Sequence, residues 1–176
     1  FLPCVRHGVL VNSLAAPILE HHPYIDYVRT VSLQASIPEI MHVFFGGIDA
    51  VIVLKPFRRL MWAAWRAGIP LRVATGFRWQ SVLANRWIHE HRSSFQKHES
   101  ACNVEMLKGL RLKPLPVVAP ALRLTEAEQV VGGRRWSGTA MPRVVIHPGG
   151  VSARHWRPGH YRDLAQTLAQ QGYAVV

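Results

Sequence analysis

The stretch "DAVIVLKPFRRLMWAAWRAGIPLRVAT", Asp49–Thr75, decides the fold class. Its opening, "DAVIVLKP", is a continuous run of mostly β-branched residues entered by Asp49 and closed by Pro56. That is the pattern of a strand buried on both faces. "RRLMWAAWRAG" then reads as a helix ending at Gly68, and "IPLRVAT" as a second strand. Two strands joined by a helical crossover of about a dozen residues imply a parallel sheet covered by helices.

The alternation extends in both directions. Upstream, "GVLVN" (Gly8 to Asn12) predicts a strand, "LAAPILEHHP" a short helix, and "IDYVRTV" the next strand. "IPEIMHVFFGG" places Ile37, Ile40, Met41 and Phe44 on one helical face, with Gly46 and Gly47 as the stop signal. Downstream, "QKHESACNVEMLKGL" reads as a helix with Val104, Leu107 and Leu110 on its inner side. From Arg111 to Pro142 the texture changes to proline-rich and then glycine-rich, basic sequence, the composition of a boundary. Val144 opens a further strand–loop–helix–strand unit that reaches Val176. The expected organisation is a first α/β domain over residues 1–113, a linker over 114–142, and the start of a second domain over 143–176.

The 176 residues are enough for one compact domain or one and a fraction. With 49% apolar and only 18% charged residues, disorder is excluded as a class. The net charge of +11, carried mostly by arginine, favours an anionic partner, whether nucleic acid, membrane or a phosphorylated substrate; the plain alternative is a solvated basic surface. Cys4 and Cys102 form no motif, so a disulfide framework is not expected and a reducing cytoplasm is the default. The most membrane-like window, "IMHVFFGGIDAVIVL", is too short and too interrupted to span a bilayer.

The loop "HPGGVSARHWRPGHY" carries the densest chemistry. It leaves a strand and enters a helix at Pro158, where a first turn accepts proline. Gly149 and Gly150 allow a ligand close to the backbone, and the helix N-terminus carries partial positive charge suited to phosphate. Ser152 can donate a hydroxyl hydrogen bond and Arg154 a bidentate charged one. Trp156 either walls such a pocket or anchors the loop. The plain reading is that α/β folds use glycines here for geometry alone. The spacing fits neither a Walker loop nor a GxGxxG fingerprint.

This final unit resembles the opening of the second domain in the heptosyltransferase family of glycosyltransferases (glycosyltransferase family 9), which build the inner core of lipopolysaccharide. Three earlier segments resemble the same family in order: "PILEHHPYIDYV", "DAVIVLKPFRRLMWAAWRAGIPLRVA" and "KHESACNVEMLKGL". The resemblance implies the two-domain GT-B architecture, two Rossmann-like domains with parallel sheets, the second only partly present here. The acceptor would sit mainly on the first domain and the nucleotide sugar mainly on the second. Gly149, Gly150, Ser152 and Arg154 would then bind the donor diphosphate. The family usually has lysine in place of Arg154, and Arg157 is inserted between the customary Trp and Pro. The carboxylate base would lie before Phe1 and the adenine and ribose contacts after Val176, so the expectation is an internal piece that does not catalyse alone.

The resemblance further implies a direct inverting displacement, with ADP-heptose as the donor substrate and neither a cofactor nor a metal. The acceptor would be the anionic lipopolysaccharide core, reached from the cytoplasmic side by peripheral contact with the anionic inner membrane. It also places Arg92, Lys97 and His98 near the acceptor. Arg58 and Arg59 lie at the carboxyl end of the "AVIVLKP" strand, where open α/β sheets collect ligands, and could hold acceptor phosphates or carboxylates. His89, His91 and His98 offer zinc-ligating side chains at no standard spacing, and surface histidines are the plain alternative. Trp62 and Trp65 read as packing residues, and Arg134 and Arg135 as solvated. Three rival functions remain: a related transferase with another nucleotide sugar, a non-catalytic basic module for nucleic acid, and a degenerate member kept as a membrane partner. No nucleic-acid motif supports the second of these.

Overall fold

The structure, a computed structural model, describes residues 5–92, 96–119, 122–136, 142–149 and 156–176. The chain divides into two compact units, Phe1–Arg123 and Leu124–Val176. In the first, β1 (Gly8–Val11) pairs in parallel with β2 (Tyr27–Thr30), Gly8 opposite Tyr27 and Val11 opposite Thr30. A second parallel sheet runs in the order β3 (Ala50–Val53), β4 (Leu71–Thr75), β5 (Arg86–Ile88). The helices are α1 (Ile37–Val43), α2 (Arg58–Arg66) and α3 (Glu99–Glu105), the last running on into a 3-10 turn, Met106–Leu110. This is the α/β fold with parallel sheets that the strand–helix–strand pattern predicts.

Local chemistry starts and stops these elements. At the head of α1, the Ser36 backbone N–H and hydroxyl both donate to Glu39, at 2.7 and 2.6 Å, a capping box that answers the orphan donors of the first turn. The Ser36 hydroxyl holds the Glu39 carboxyl below the usual carboxylate range. After Phe44 the chain turns through Gly46 and Gly47, at φ +112° and +76°, which a side chain would resist. Arg29 on β2 reaches over to donate to the carbonyls of Val43 and Phe45 at the frayed end of α1.

Two apolar clusters hold the unit. Ala35, Ile40 and Phe44 pack with Ala63, Ala64 and Ile69, and Leu10 of β1 and Val51 of β3 lean on the same cluster. Val53, Met61, Ala74 and Ala84 form the second. Fully burying a side chain such as Met61 stabilises by about 1.5–3 kcal/mol. Small residues make the close approaches: Ala63 and Ala64 are fully buried in α2, and Gly109 lies directly against Val73.

Three segments differ from the sequence expectation. "LAAPILEHHP" forms only a 3-10 turn, Ala16–Ile18. Ala16 is buried, but Leu14 and Ile18 are 89% and 59% exposed, so little apolar surface is buried to extend a helix whose propagation depends on packing. The aromatic stretch after Thr75, to which the sequence pattern assigns no element, holds a 3-10 turn, Trp79–Leu83, and β5. Within the expected linker lies α4 (Glu126–Trp136), which passes through Gly132 and Gly133. A second capping box starts it: Thr125 N–H and hydroxyl donate to Glu128, and Glu128 N–H donates back to the Thr125 hydroxyl.

In the second unit, β6 (Arg143–Val144) pairs in parallel with β7 (Ala174–Val175), joined by α5 (Pro158–Gln170). None of its described residues is buried; every buried residue described in the chain lies between Ala16 and Gly109.

Candidate functional site

Ligands of open parallel sheets gather outside the carboxyl ends of the strands. At the ends of β1 and β2 the structure opens a cleft of about 460 Å³. Asn12, Ser13, Thr30, Ser32 and Gln34 supply its polar lining, and the leucines Leu14 and Leu33 stand exposed at its rim. Two of these polar groups are already committed: Asn12 Oδ1 accepts from Ala15 N–H at 3.0 Å, and Ser32 Oγ from Gln34 N–H at 3.1 Å. The remaining hydroxyl and amide groups can exchange hydrogen bonds with a hydroxylated ligand. Arg59 donates from α2 to the carbonyls of Gln34 and Ala35, at 2.7 and 3.0 Å, so it holds this loop in place. Arg58, the exposed first residue of α2, forms no ion pair among the described residues.

The cations around α3 are accompanied by acids. Arg92 Nη1 donates to Glu99, and to Asn103 Oδ1 at 2.9 Å, while its Nε and Nη2 are buried without partners among the described residues. Lys97 Nζ lies 3.7 Å from Glu90 and 3.6 Å from Glu105, and Lys108 pairs with Glu105. The hydrogen bond from Lys108 holds the Glu105 carboxyl below the usual range, and Glu105 in turn holds the Lys108 ammonium above its ordinary value. His98 caps α3, its Nδ1 accepting from Ser100 N–H at 3.3 Å. Glu90 and Glu105 were not singled out from the sequence; the Glu105–Lys108 spacing, one helical turn, is the signal that finds this pair.

The other histidines are engaged with an aromatic ring. Phe77 meets His89 edge-on at 5.4 Å and His91 at 4.5 Å. The His89 ring occupies the space that a side chain at Gly76 would need, since a Cβ there would lie 2.6 Å from its Cδ2. Among the described residues no three His, Cys, Asp or Glu side chains gather as a metal site.

In the second unit, β6 leads to Gly149, where an added Cβ would lie 3.1 Å from the His147 ring. Gly150, Ser152 and Arg154 lie outside the described residues. Beyond them Trp156 packs on the first turn of α5, its ring 5.6 Å from Tyr161 and 6.3 Å from His160. Arg157 is the extended N-cap of that helix, and Pro158 pre-sets its first turn.

No family model matches the chain. A protein of Haemophilus influenzae provisionally named a glycosyltransferase is 28% identical over 126 residues, covering 67% of this chain and 36% of that protein. Two solved structures share the fold over nearly the whole chain. One is the Escherichia coli ADP-heptose lipopolysaccharide heptosyltransferase II, with a TM-score of 0.64 and 20% identity over 98% of this chain and 55% of that one. The other is a glycosyl transferase of family 9 from Veillonella parvula, with a TM-score of 0.74 and 16% identity over 97% of this chain and 52% of that one. The chain thus spans about half the length of the solved proteins and about a third of the Haemophilus protein. Its fold is that of the GT-B heptosyltransferases.

Proposed function

We propose that this chain is part of a glycosyltransferase of the heptosyltransferase kind, moving heptose from ADP-heptose to the inner core of lipopolysaccharide. The observation that carries the reading is a fold likeness over 97–98% of the chain; β6 and α5 flank the segment that the sequence resemblance assigns to the donor diphosphate. The reaction is an inverting displacement in which a carboxylate takes the proton of the acceptor hydroxyl. Ser152, Arg154 and the α5 N-terminus offset the charge that grows on the leaving diphosphate, which makes a metal unnecessary. The polar cleft at the ends of β1 and β2 meets the sugar hydroxyls of the acceptor, and transfer takes place at the cytoplasmic surface of the inner membrane.

A thermal melt of the longer protein of which this chain is proposed to be part, titrated with ADP, UDP and ADP-heptose, tests the reading. A rise in Tm selective for the adenine ligands and absent in Arg154→Ala supports it. A rise with UDP alone points to a transferase with another nucleotide sugar, and no rise with any ligand counts against a donor site in this chain.

A further inference from the structure

One surface is left without a role by the site described above. Counting from Arg58 along α2, positions i+4, i+7 and i+8 are Trp62, Trp65 and Arg66, so four large residues share one helical face. The opposite face carries Met61, Ala63 and Ala64, all fully buried, so the orientation of the helix is fixed and the Arg–Trp face is turned outward. The two indoles contact each other at 5.3 Å and remain 41% and 46% exposed. Just before the helix, Leu54 and Phe57 are 45% and 47% exposed, and Lys55 Nζ sits 5.5 Å over the Phe57 ring. The sequence of α2 holds no acidic residue at all.

We infer that the α2 face of Arg58, Trp62, Trp65 and Arg66 docks on an anionic phospholipid bilayer at headgroup depth. Indole combines an apolar body with one N–H donor and concentrates where water gives way to lipid. Guanidinium groups flanking the indoles pair with lipid phosphates in two-pronged fashion. No described helix is long and apolar enough to cross a membrane, so contact of this kind is made by a surface. Single-stranded nucleic acid is the other polyanion that arginine and tryptophan can bind, but it needs free ring faces in a groove. Here the rings lean on each other along the convex side of a helix. The inference rests on the proposed function only for the membrane at which the acceptor is met. Vesicle binding and nucleotide binding are separate readouts, so either can fail alone.

The test is co-sedimentation of the full chain with phosphatidylcholine vesicles, with and without about one-third phosphatidylglycerol, at about 0.1 M salt. Binding is expected to the anionic vesicles only, with tryptophan fluorescence quenched by lipids brominated near the headgroup. Arg58→Gln with Arg66→Gln should weaken partitioning about fivefold for each charge removed, without moving Tm. Lys113→Gln with Arg162→Gln, which remove the same charge elsewhere, should change it by less than half as much on the logarithmic scale. Equal binding to neutral vesicles, equal loss in the two variant pairs, absence of quenching, or displacement from vesicles by a single-stranded oligonucleotide would each overturn the inference.

Discussion

Gly109→Ala is the substitution on which the packing argument can be judged most sharply. Gly109 sits in the turn that follows α3, buried against Val73 of the central strand β4, and Val73 is itself fully buried. A Cβ added at Gly109 would lie 2.8 Å from Val73 Cγ2 and 3.1 Å from its Cβ, and nearer still to Cγ1. Gly109 does not occupy the left-handed region, so the cost is steric. Val73 cannot swing aside, because its branched side chain has one good rotamer and no free volume. Overpacking of this kind costs about 1–3 kcal/mol. Val73→Ala alone removes two buried methyl groups and should cost about 2–3 kcal/mol in transfer and cavity. In the double variant the alanine methyl at 109 fills space that valine vacated, so the losses should fall short of their sum by about 1–2 kcal/mol. Urea unfolding of the four proteins, followed by circular dichroism and tryptophan fluorescence, measures that coupling. Losses that add within about 0.5 kcal/mol would show that the contact between Gly109 and Val73 is not what limits this position.

Other positions yield expectations of different kinds. Gly76→Ala also meets a side chain, but the His89 ring is exposed and can rotate away, so the same unfolding assay should register less than about 1 kcal/mol. Replacing Gly132 and Gly133 of α4 by alanine, where an added Cβ has open space, should strengthen that helix by up to about 1 kcal/mol each, while Thr125→Ala should weaken it by about 1 kcal/mol. Backbone chemical shifts over 126–136 would report both changes. The Glu105 carboxyl is held low and the Lys108 ammonium held high. The pair therefore contributes stability above the ordinary carboxylate range that is lost as pH falls through the lowered Glu105 value. At the other end, the contribution is present below the ordinary lysine value and lost as pH rises through the raised Lys108 value. Glu105→Gln should flatten both flanks of a Tm-against-pH profile, and unchanged flanks would refute the assignment.

The elements that meet the core were legible in the sequence because burial demands apolar residues there: an unbroken apolar run through β3, ending in the buried Val53, and the helical spacing that puts Ile40 and Phe44 on one face at α1. Segments shaped by single contacts were not. β5 is held by pairing to β4 and by Asn85 bridging to Arg72 N–H and the Pro70 carbonyl, with no alternation to announce it. The start of α4 rests on one threonine–glutamate exchange that outweighs two glycines. Among the candidate site residues, sequence shows charge but not who answers it. Arg59 is spent on two backbone carbonyls, and Arg92 and Lys97 on carboxylates. Part of the basic surplus is therefore architectural, as are Arg29 at the end of α1 and Arg72, which donates to the Leu83 carbonyl.

The confinement of burial, among the described residues, to those between Ala16 and Gly109 has a bearing on how the chain comes into being. Synthesis proceeds from the amino terminus, and every residue that seals the apolar clusters is added well before Leu124. The cohesive part can therefore close while the remainder is still being made, a sequential assembly that spares it competition from later segments. The same asymmetry sets the clock of amide exchange. Protons on β4, packed against Met61 and Met106, should be retained longest, and those of β6 and β7 should be lost first.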